Sequence, residues 1–151
     1  MRFWMVVVAT VYLPVLALSQ EKKVQRADLP PAVEKTVSAV SQGASIKGFS
    51  RETENGQTYY EAEMLVSGHS RDVLIGEDGT VVEVEEQVAF DSLPAEVKQG
   101  LQKKAGAAKV VSVESLTKHD KLVAYEAKVQ TNGKKKEIQV GPNGNALDHE
   151  E

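Results

Sequence analysis

The chain has 151 residues, of which 41% are apolar and 26% are charged, and this balance excludes a disordered, fibrous or multi-span membrane protein. The formal net charge of −4 argues against a general nucleic-acid binder. Cysteine is absent, which excludes disulfides, thiolate metal sites, a cysteine nucleophile and lipid attachment to an N-terminal cysteine.

The N-terminal segment has the pattern of an export signal. A short, positively charged start is followed by an almost wholly apolar run from residue 3 to residue 16. Ala17 and Ser19 are small residues at the spacing typical of a cleavage site. An uncleaved membrane anchor is the less favoured alternative, because the run is short for a bilayer span and Pro14 would break its helix. We predict a signal peptide over residues 1–19, no stable membrane insertion after its cleavage, and a periplasmic or secreted location.

The rest of the chain contains an internal repeat. Three segments recur, and the pairs are 29–33 with 93–97, 60–63 with 125–128, and 76–79 with 141–144. The offset is 64 residues at the start and 65 afterwards, which places one added residue in the loop near His119. Repeats at such a period indicate duplicated structural units. We predict an N-terminal linker over 20–28, unit one over 29–92 and unit two over 93–151.

Each unit has the pattern of a helix followed by four antiparallel strands. Val33, Val37 and Val40 follow helical spacing, and Val97 and Leu101 repeat it. The predicted strands cover about 46–53, 60–66, 73–75 and 81–88, with counterparts at 110–117, 125–131, 138–140 and 146–151. This predicts an α+β fold in which the helices pack on one sheet face. Units of about 60 residues are marginal alone, so we expect a shared interface or a continuous sheet.

A helix, a Tyr-Glu-Ala strand and a Gly-x-Asp/Asn-Gly turn, in tandem behind a signal peptide, resemble the PepSY-like family, also called β-lactamase-inhibitor-protein-like. The resemblance covers residues 29–151 and is carried by Tyr60, Glu61, Ala62, Gly76, Asp78 and Gly79, with Tyr125, Glu126, Ala127, Gly141, Asn143 and Gly144. It implies a small exported bacterial protein with the tandem helix-plus-sheet fold. Inhibition of an enzyme is an expectation from this resemblance, although the inhibitor's disulfides have no counterpart here.

Convergent catalytic or metal-binding groups are not evident in the sequence. His69, His119 and His149 fall in a turn, a loop and the tail, and none has a second histidine at ligand spacing. Asp78 lies in a Gly-Glu-Asp-Gly turn, and Asn143 replaces it in the second copy, as a turn residue would allow. We therefore predict a protein that is not an enzyme, with no cofactor and no metal.

Acidic residues are concentrated in unit one, which has 12 acidic and four basic residues, whereas unit two has eight and ten. Strand alternation places several of them, with a few apolar residues, on the sheet face opposite the helix. The candidate binding residues on this face are Tyr59, Glu61, Glu63, Leu65, Leu74, Glu83 and Glu85. Such a mixture is typical of a protein interface, and the alternative is that the linker or unit two covers it.

These observations lead to a functional prediction. We expect an exported, non-enzymatic module that binds an unidentified protein or peptide through the sheet face of unit one, and that inhibits an envelope or secreted enzyme if the resemblance extends that far. The alternative is a small envelope scaffold, or a protein whose acidic unit binds cations weakly. Nucleic acid is not an expected partner.

Overall fold

The structure, a computed structural model, describes residues 21–151. The predicted signal peptide lies outside the described residues. Within the described part, no helix combines the length and the apolar character needed to cross a membrane.

One antiparallel sheet of eight strands dominates the fold, and the strands are arranged in the order of the sequence. The strands are β1 (Lys22–Val24), β2 (Ala44–Glu54), β3 (Gln57–Val66), β4 (His69–Gly76), β5 (Val81–Val88), β6 (Lys109–Lys118), β7 (Lys121–Thr131) and β8 (Lys134–Val140). Helix α1 (Pro31–Val40) precedes β2, and helix α2 (Ala95–Ala105) lies between β5 and β6. Short 3-10 turns at Arg26–Asp28 and Phe90–Ser92 lead into the helices. The predicted α+β class therefore holds, with sheet in the majority.

Tight two-residue turns explain why the strands pair with their neighbours in sequence. Four turns have both residues at positive φ: Asn55-Gly56, Ser67-Gly68, His119-Asp120 and Asn132-Gly133. Such turns follow the right-handed twist of the strands that they join, so they favour hairpins.

Each helix packs over its own apolar cluster. Val33 and Val37 of α1 are buried in one cluster with Tyr60, Ala62, Met64, Val73 and Ile75. Val97 and Leu101 of α2 are buried in a second cluster with Val113, Ala127, Val129, Ile138 and Val140. Side chains four residues apart on a strand share a face, and on β5 Val84 packs against the first cluster while Val88 packs against the second. Both helices therefore cover the same face of one continuous sheet.

A row of polar side chains crosses the boundary between the clusters on the helix face. Arg71, Glu86, Ser115 and Tyr125 are successive Cα partners across β4 to β7. The Arg71 guanidinium lies 2.7 Å from the Glu86 carboxylate. The Ser115 hydroxyl donates a hydrogen bond of 3.4 Å to the backbone carbonyl of Glu86. We call these four residues the polar seam.

Two predicted details of the architecture differ from the structure. The expected fourth strand of unit two is wrong, because residues 146–151 form no strand. This segment is rich in Ala, Asp and Glu, which are poor strand formers. The second difference is at the N-terminal linker, where β1 pairs with residues 49–51 of β2. Of the two arrangements expected for the units, the structure has the continuous sheet, because β5 pairs directly with β6.

Candidate functional site

The sheet face opposite the helices, here called the polar face, carries acidic side chains in register. Glu63, Asp72 and Glu85 are Cα partners on β3, β4 and β5. In the next row, Glu61 and Glu83 are each paired with Leu74. Like charges directly opposite each other destabilise a sheet. We call Glu61, Glu63, Asp72, Glu83 and Glu85 the acidic cluster.

The acidic cluster surrounds a shallow depression of about 270 Å³. Its lining consists of Glu21, Glu52, Glu61, Asp72, Leu74, Glu83 and Glu85. Four of these residues are among the sequence-predicted binding residues: Glu61, Leu74, Glu83 and Glu85. Glu21, Glu52 and Asp72 were not included in that prediction. Alternation along β2 and β4 is the sequence feature that could have placed Glu52 and Asp72 at this site, because each pairs with a residue of the polar face.

The other predicted apolar residues lie at the ends of the cluster. Tyr59 and Leu65 are six residues apart on β3, which corresponds to about 20 Å along a strand. Tyr59 lines a separate surface groove beside Gly76 and His119, and its hydroxyl donates to Gln57 at 2.6 Å. Tyr59, Leu65 and Leu74 are all partly exposed. The three residues are therefore spread over the length of the face and do not form one apolar patch.

Burial and mutual repulsion change the acidity of the cluster. Burial raises the pKa of the Glu85 carboxyl to about 8, and the charges of Glu83, Glu126 and Glu114 add to the rise. A carboxyl with this pKa is mostly protonated at neutral pH.

Two other members of the cluster shift in the same direction. Burial raises the pKa of Asp72, and the charge of Glu63 adds to the rise. Burial also raises the pKa of Glu61, while a hydrogen bond of 3.0 Å from the Ser50 hydroxyl opposes the rise. Glu61, Asp72 and Glu85 therefore hold their negative charge less readily than exposed carboxylates do.

Basic side chains lie at the border of the cluster. Lys118 Nζ lies 3.6 Å from a Glu83 carboxylate oxygen. Lys128 Nζ lies 3.2 Å from Glu114, a mostly buried acid on β6. Burial of Lys128 acts to lower its pKa, but the charge and hydrogen bond of Glu114, together with the charges of Glu137 and Glu85, raise the pKa on balance. Both ion pairs lie beside the row of Glu63, Asp72 and Glu85. The carboxyl groups of that row therefore remain next to one another.

One group of carboxylates has the spacing of a cation site. Carboxylate oxygens of Glu21, Glu61 and Glu63 all lie within 4.8 Å of one another. Oxygen ligands are those that Ca²⁺ and Mg²⁺ prefer. This arrangement arises because β1 brings the acidic start of the described chain beside β2 and β3.

The histidines and Asp78 lie outside this site. His69, His119 and His149 are exposed. The Asp78 carboxylate accepts hydrogen bonds from the Thr80 amide at 2.9 Å and the Thr80 hydroxyl at 3.0 Å, which lower its pKa. Asn143 accepts the equivalent bond from the Asn145 amide at 3.0 Å. Asp78 thus stabilises a turn.

Comparison with known proteins identifies structures of the same fold. No family model matches the chain, and a search of the curated proteins returns no match either. A BLIP-like protein from Bacteroides fragilis matches with a TM-score of 0.59 and 19% identity, over 79% of this chain and 83% of that one. A DUF2874 family protein from Bacteroides ovatus matches with a TM-score of 0.61 and 21% identity, over 80% and 86%.

A third structure has the same fold. A protein from Bacteroides eggerthii, provisionally assigned to the periplasm, matches with a TM-score of 0.64 and 18% identity, over 79% of this chain and 86% of that one. Identities this low show a shared fold alone. The chain therefore has the fold of BLIP-like and DUF2874 proteins, while the PepSY-like part of the resemblance stays a prediction.

Proposed function

We propose that this chain is an exported, non-enzymatic module that binds a basic protein or peptide segment through its acidic cluster. The observation that carries the proposal is the in-register row of Glu63, Asp72 and Glu85, in which three carboxyl groups lie side by side across three strands. The raised pKa values of Asp72 and Glu85 mean that charging this row is unfavourable in the free protein, and a cationic partner would favour the charged forms. The sequence-predicted export signal and the periplasmic assignment of the Bacteroides eggerthii structure support a periplasmic location.

Tandem units and an inhibitory role belong to the same proposal. The turns at Gly76–Gly79 and Gly141–Gly144 have matching backbone hydrogen bonds of 2.8 Å, which supports duplication of one unit. The units would then be 29–92 and 93–151. The likeness to a BLIP-like protein supports inhibition of an envelope enzyme as one form of the binding function.

The first test measures binding of a synthetic peptide with lysine at alternate positions to the mature chain. In an extended peptide, alternate side chains are about 6.8 Å apart, which matches the spacing of Glu61 and Glu63 or of Glu83 and Glu85 along their strands. Binding should weaken as salt rises, because salt screens the attraction between exposed charges. Calorimetric titration at several salt concentrations is the measurement.

A matched pair of variants locates the binding surface. The quadruple change Glu61→Gln, Glu63→Gln, Glu83→Gln and Glu85→Gln should weaken binding at least about tenfold, because it removes the clustered charge. The control changes four exposed acids elsewhere: Glu77→Gln, Asp91→Asn, Glu96→Gln and Asp120→Asn. Both variants replace four acids by amides, and at neutral pH the control loses slightly more charge because Glu85 is mostly protonated there. Equal affinity in the two variants would contradict a binding site at the acidic cluster.

A second candidate function is weak cation binding, which the closely spaced oxygens of Glu21, Glu61 and Glu63 favour. Calorimetric titration with Ca²⁺ in place of the peptide tests it. Glu21→Gln together with Glu63→Gln should abolish the heat of binding, whereas Glu77→Gln should retain it. A chain that binds Ca²⁺ and ignores the lysine peptide would replace the first proposal with the second.

A further inference from the structure

The segment 147–151 reaches the polar face of the sheet through Glu151. The Glu151 amide donates a hydrogen bond of 2.8 Å to the side-chain oxygen of Gln139 on β8. The Glu151 carboxylate lies 3.5 Å from Lys118 Nζ on β6. Strand β7 lies between these two strands. Glu151 therefore spans β7 on the face opposite the helices.

Two apolar side chains lie under this crossing. Leu116 on β6 and Ala124 on β7 are Cα partners, and their exposed fractions are 3% and 0%. Leu116 pairs with Glu85 on its other side, so both side chains lie on the polar face. In the described part of the chain, neither residue belongs to the two apolar clusters under the helices. The contacts of Glu151 with Gln139 and Lys118 place the end of the segment beside this pair.

The anchor of the segment is connected to the acidic cluster. Lys118 Nζ is within 3.6 Å of both the Glu83 and the Glu151 carboxylates, so one ammonium group serves both. The side-chain amide of Gln139 donates a hydrogen bond of 2.8 Å to Glu126, which holds Gln139 in place. Glu83 lines the acidic depression. A cation bound in the depression would therefore change how Lys118 is shared between Glu83 and Glu151.

We propose that residues 147–151 form a displaceable strap, which closes the polar face over β6 and β7 and limits access of a partner to the acidic cluster. A single hydrogen bond and a partly exposed ion pair are weak contacts, so the strap opens without unfolding of the sheet. Opening exposes Leu116 and Ala124 beside Glu85 and enlarges the surface. The limit on partner access rests on the proposed function, whereas the closure itself does not.

The absence of cysteine allows a direct test of the closure. Ala124→Cys places a single thiol under the strap, and its labelling rate with a thiol reagent is measured with and without residues 147–151. Removal of the strap should raise the labelling rate by about tenfold or more, because the thiol then reacts without waiting for the strap to open. A tenfold rise corresponds to about 1.4 kcal/mol of closing free energy. Leu116→Cys provides a second position if Ala124→Cys fails to fold. An unchanged rate at the tested position would overturn the strap.

The matched control is Ala62→Cys, which lies in the cluster under α1 and is also 0% exposed. Its labelling should not respond to removal of the strap, and an equal rise would indicate general loosening of the fold, which overturns the proposal. In the Ala124→Cys background, Glu151→Gln should raise the rate by severalfold, because it removes the ion pair with Lys118. Glu150→Gln, at the exposed neighbouring residue, should leave the rate unchanged.

Binding of the alternating-lysine peptide separates the closure from the proposed function. If the strap limits access, its removal should lower the Kd at least about threefold, together with the rise in labelling. Faster labelling with equal peptide affinity would overturn the limit on access. Faster labelling with no peptide binding to either form would support the closure while contradicting the proposed function.

Discussion

At the residue scale, Glu85 combines burial with four carboxylates in its surroundings. The groups that act on it from its own strand and the packed strands are Glu83, Asp72, Glu114 and Glu126, and Lys128 is the cation of β7 that also interacts with it. Its folded-state pKa of about 8 is above the ordinary carboxyl value of 4.5. Such a group favours the fold when protonated, so its contribution is present below pH 4.5 and is lost as the pH rises through about 8.

This linkage predicts the behaviour of Glu85→Gln, which removes the titration and keeps the shape. Between about pH 5 and pH 8, the unfolding free energy of the parent chain should fall relative to the variant by at most about 1.4 kcal/mol per pH unit. The variant should therefore be the more stable chain at pH 8, and the difference should disappear near pH 4.5. Urea unfolding followed by circular dichroism at pH 5, 6.5 and 8 provides the measurement. Glu77→Gln, an exposed turn position, is the control, and parallel pH profiles for Glu85→Gln and the parent would contradict the prediction.

At the element scale, the sequence predicts most strands of the sheet but fails at the edges of the sheet. The predicted strand 81–88 coincides with β5, and the other predicted strands of β2 to β8 are recognisable, because alternation persists over many residues. Strand β1 has three residues, too few for a periodic signal, so Glu21 could not be placed beside the acidic cluster. The segment 146–151 was assigned as a strand by analogy with 81–88. Its contacts with Gln139 and Lys118 are tertiary, and alternation contains no information about them.

The sequence likewise predicts only part of the candidate site. Alternation along single strands places Glu61, Glu63, Glu83 and Glu85 on one face, and the register then brings them together. The distance between Tyr59 and Leu65 was also implicit in the sequence, since side chains that share a face recur every two residues. Burial of Leu116 and Ala124 on the polar face could not be predicted in this way. Glu151 lies beside this pair through tertiary contacts, and the segment 147–151 has no period that points to this position.

At the scale of the whole molecule, the question is whether the two apolar clusters unfold together. The clusters share no buried residue, and the polar seam crosses the boundary between them on the helix face. However, a continuous ladder joins β5 to β6, and it runs from the Glu83–Lys118 pair to the Val88–Val113 pair. A half of about 60 residues is marginal alone, so the shared ladder should make folding cooperative.

Two equivalent core truncations test this cooperativity, one in each helix. Val37→Ala in α1 and Val97→Ala in α2 remove the same two methyl groups from positions that are 1% and 0% exposed. Each should cost about 2 kcal/mol, the lower range for large-to-small changes in a core. Fluorotyrosine reporters at Tyr60 and Tyr125, followed by ¹⁹F NMR in urea, report on the first and second cluster. In one cooperative unit, either truncation lowers both midpoints by the same amount, since every residue shares one free energy of unfolding. If Val37→Ala moved only the Tyr60 midpoint and Val97→Ala only the Tyr125 midpoint, the clusters would be independent units, and the β5–β6 ladder would join them without coupling their stability.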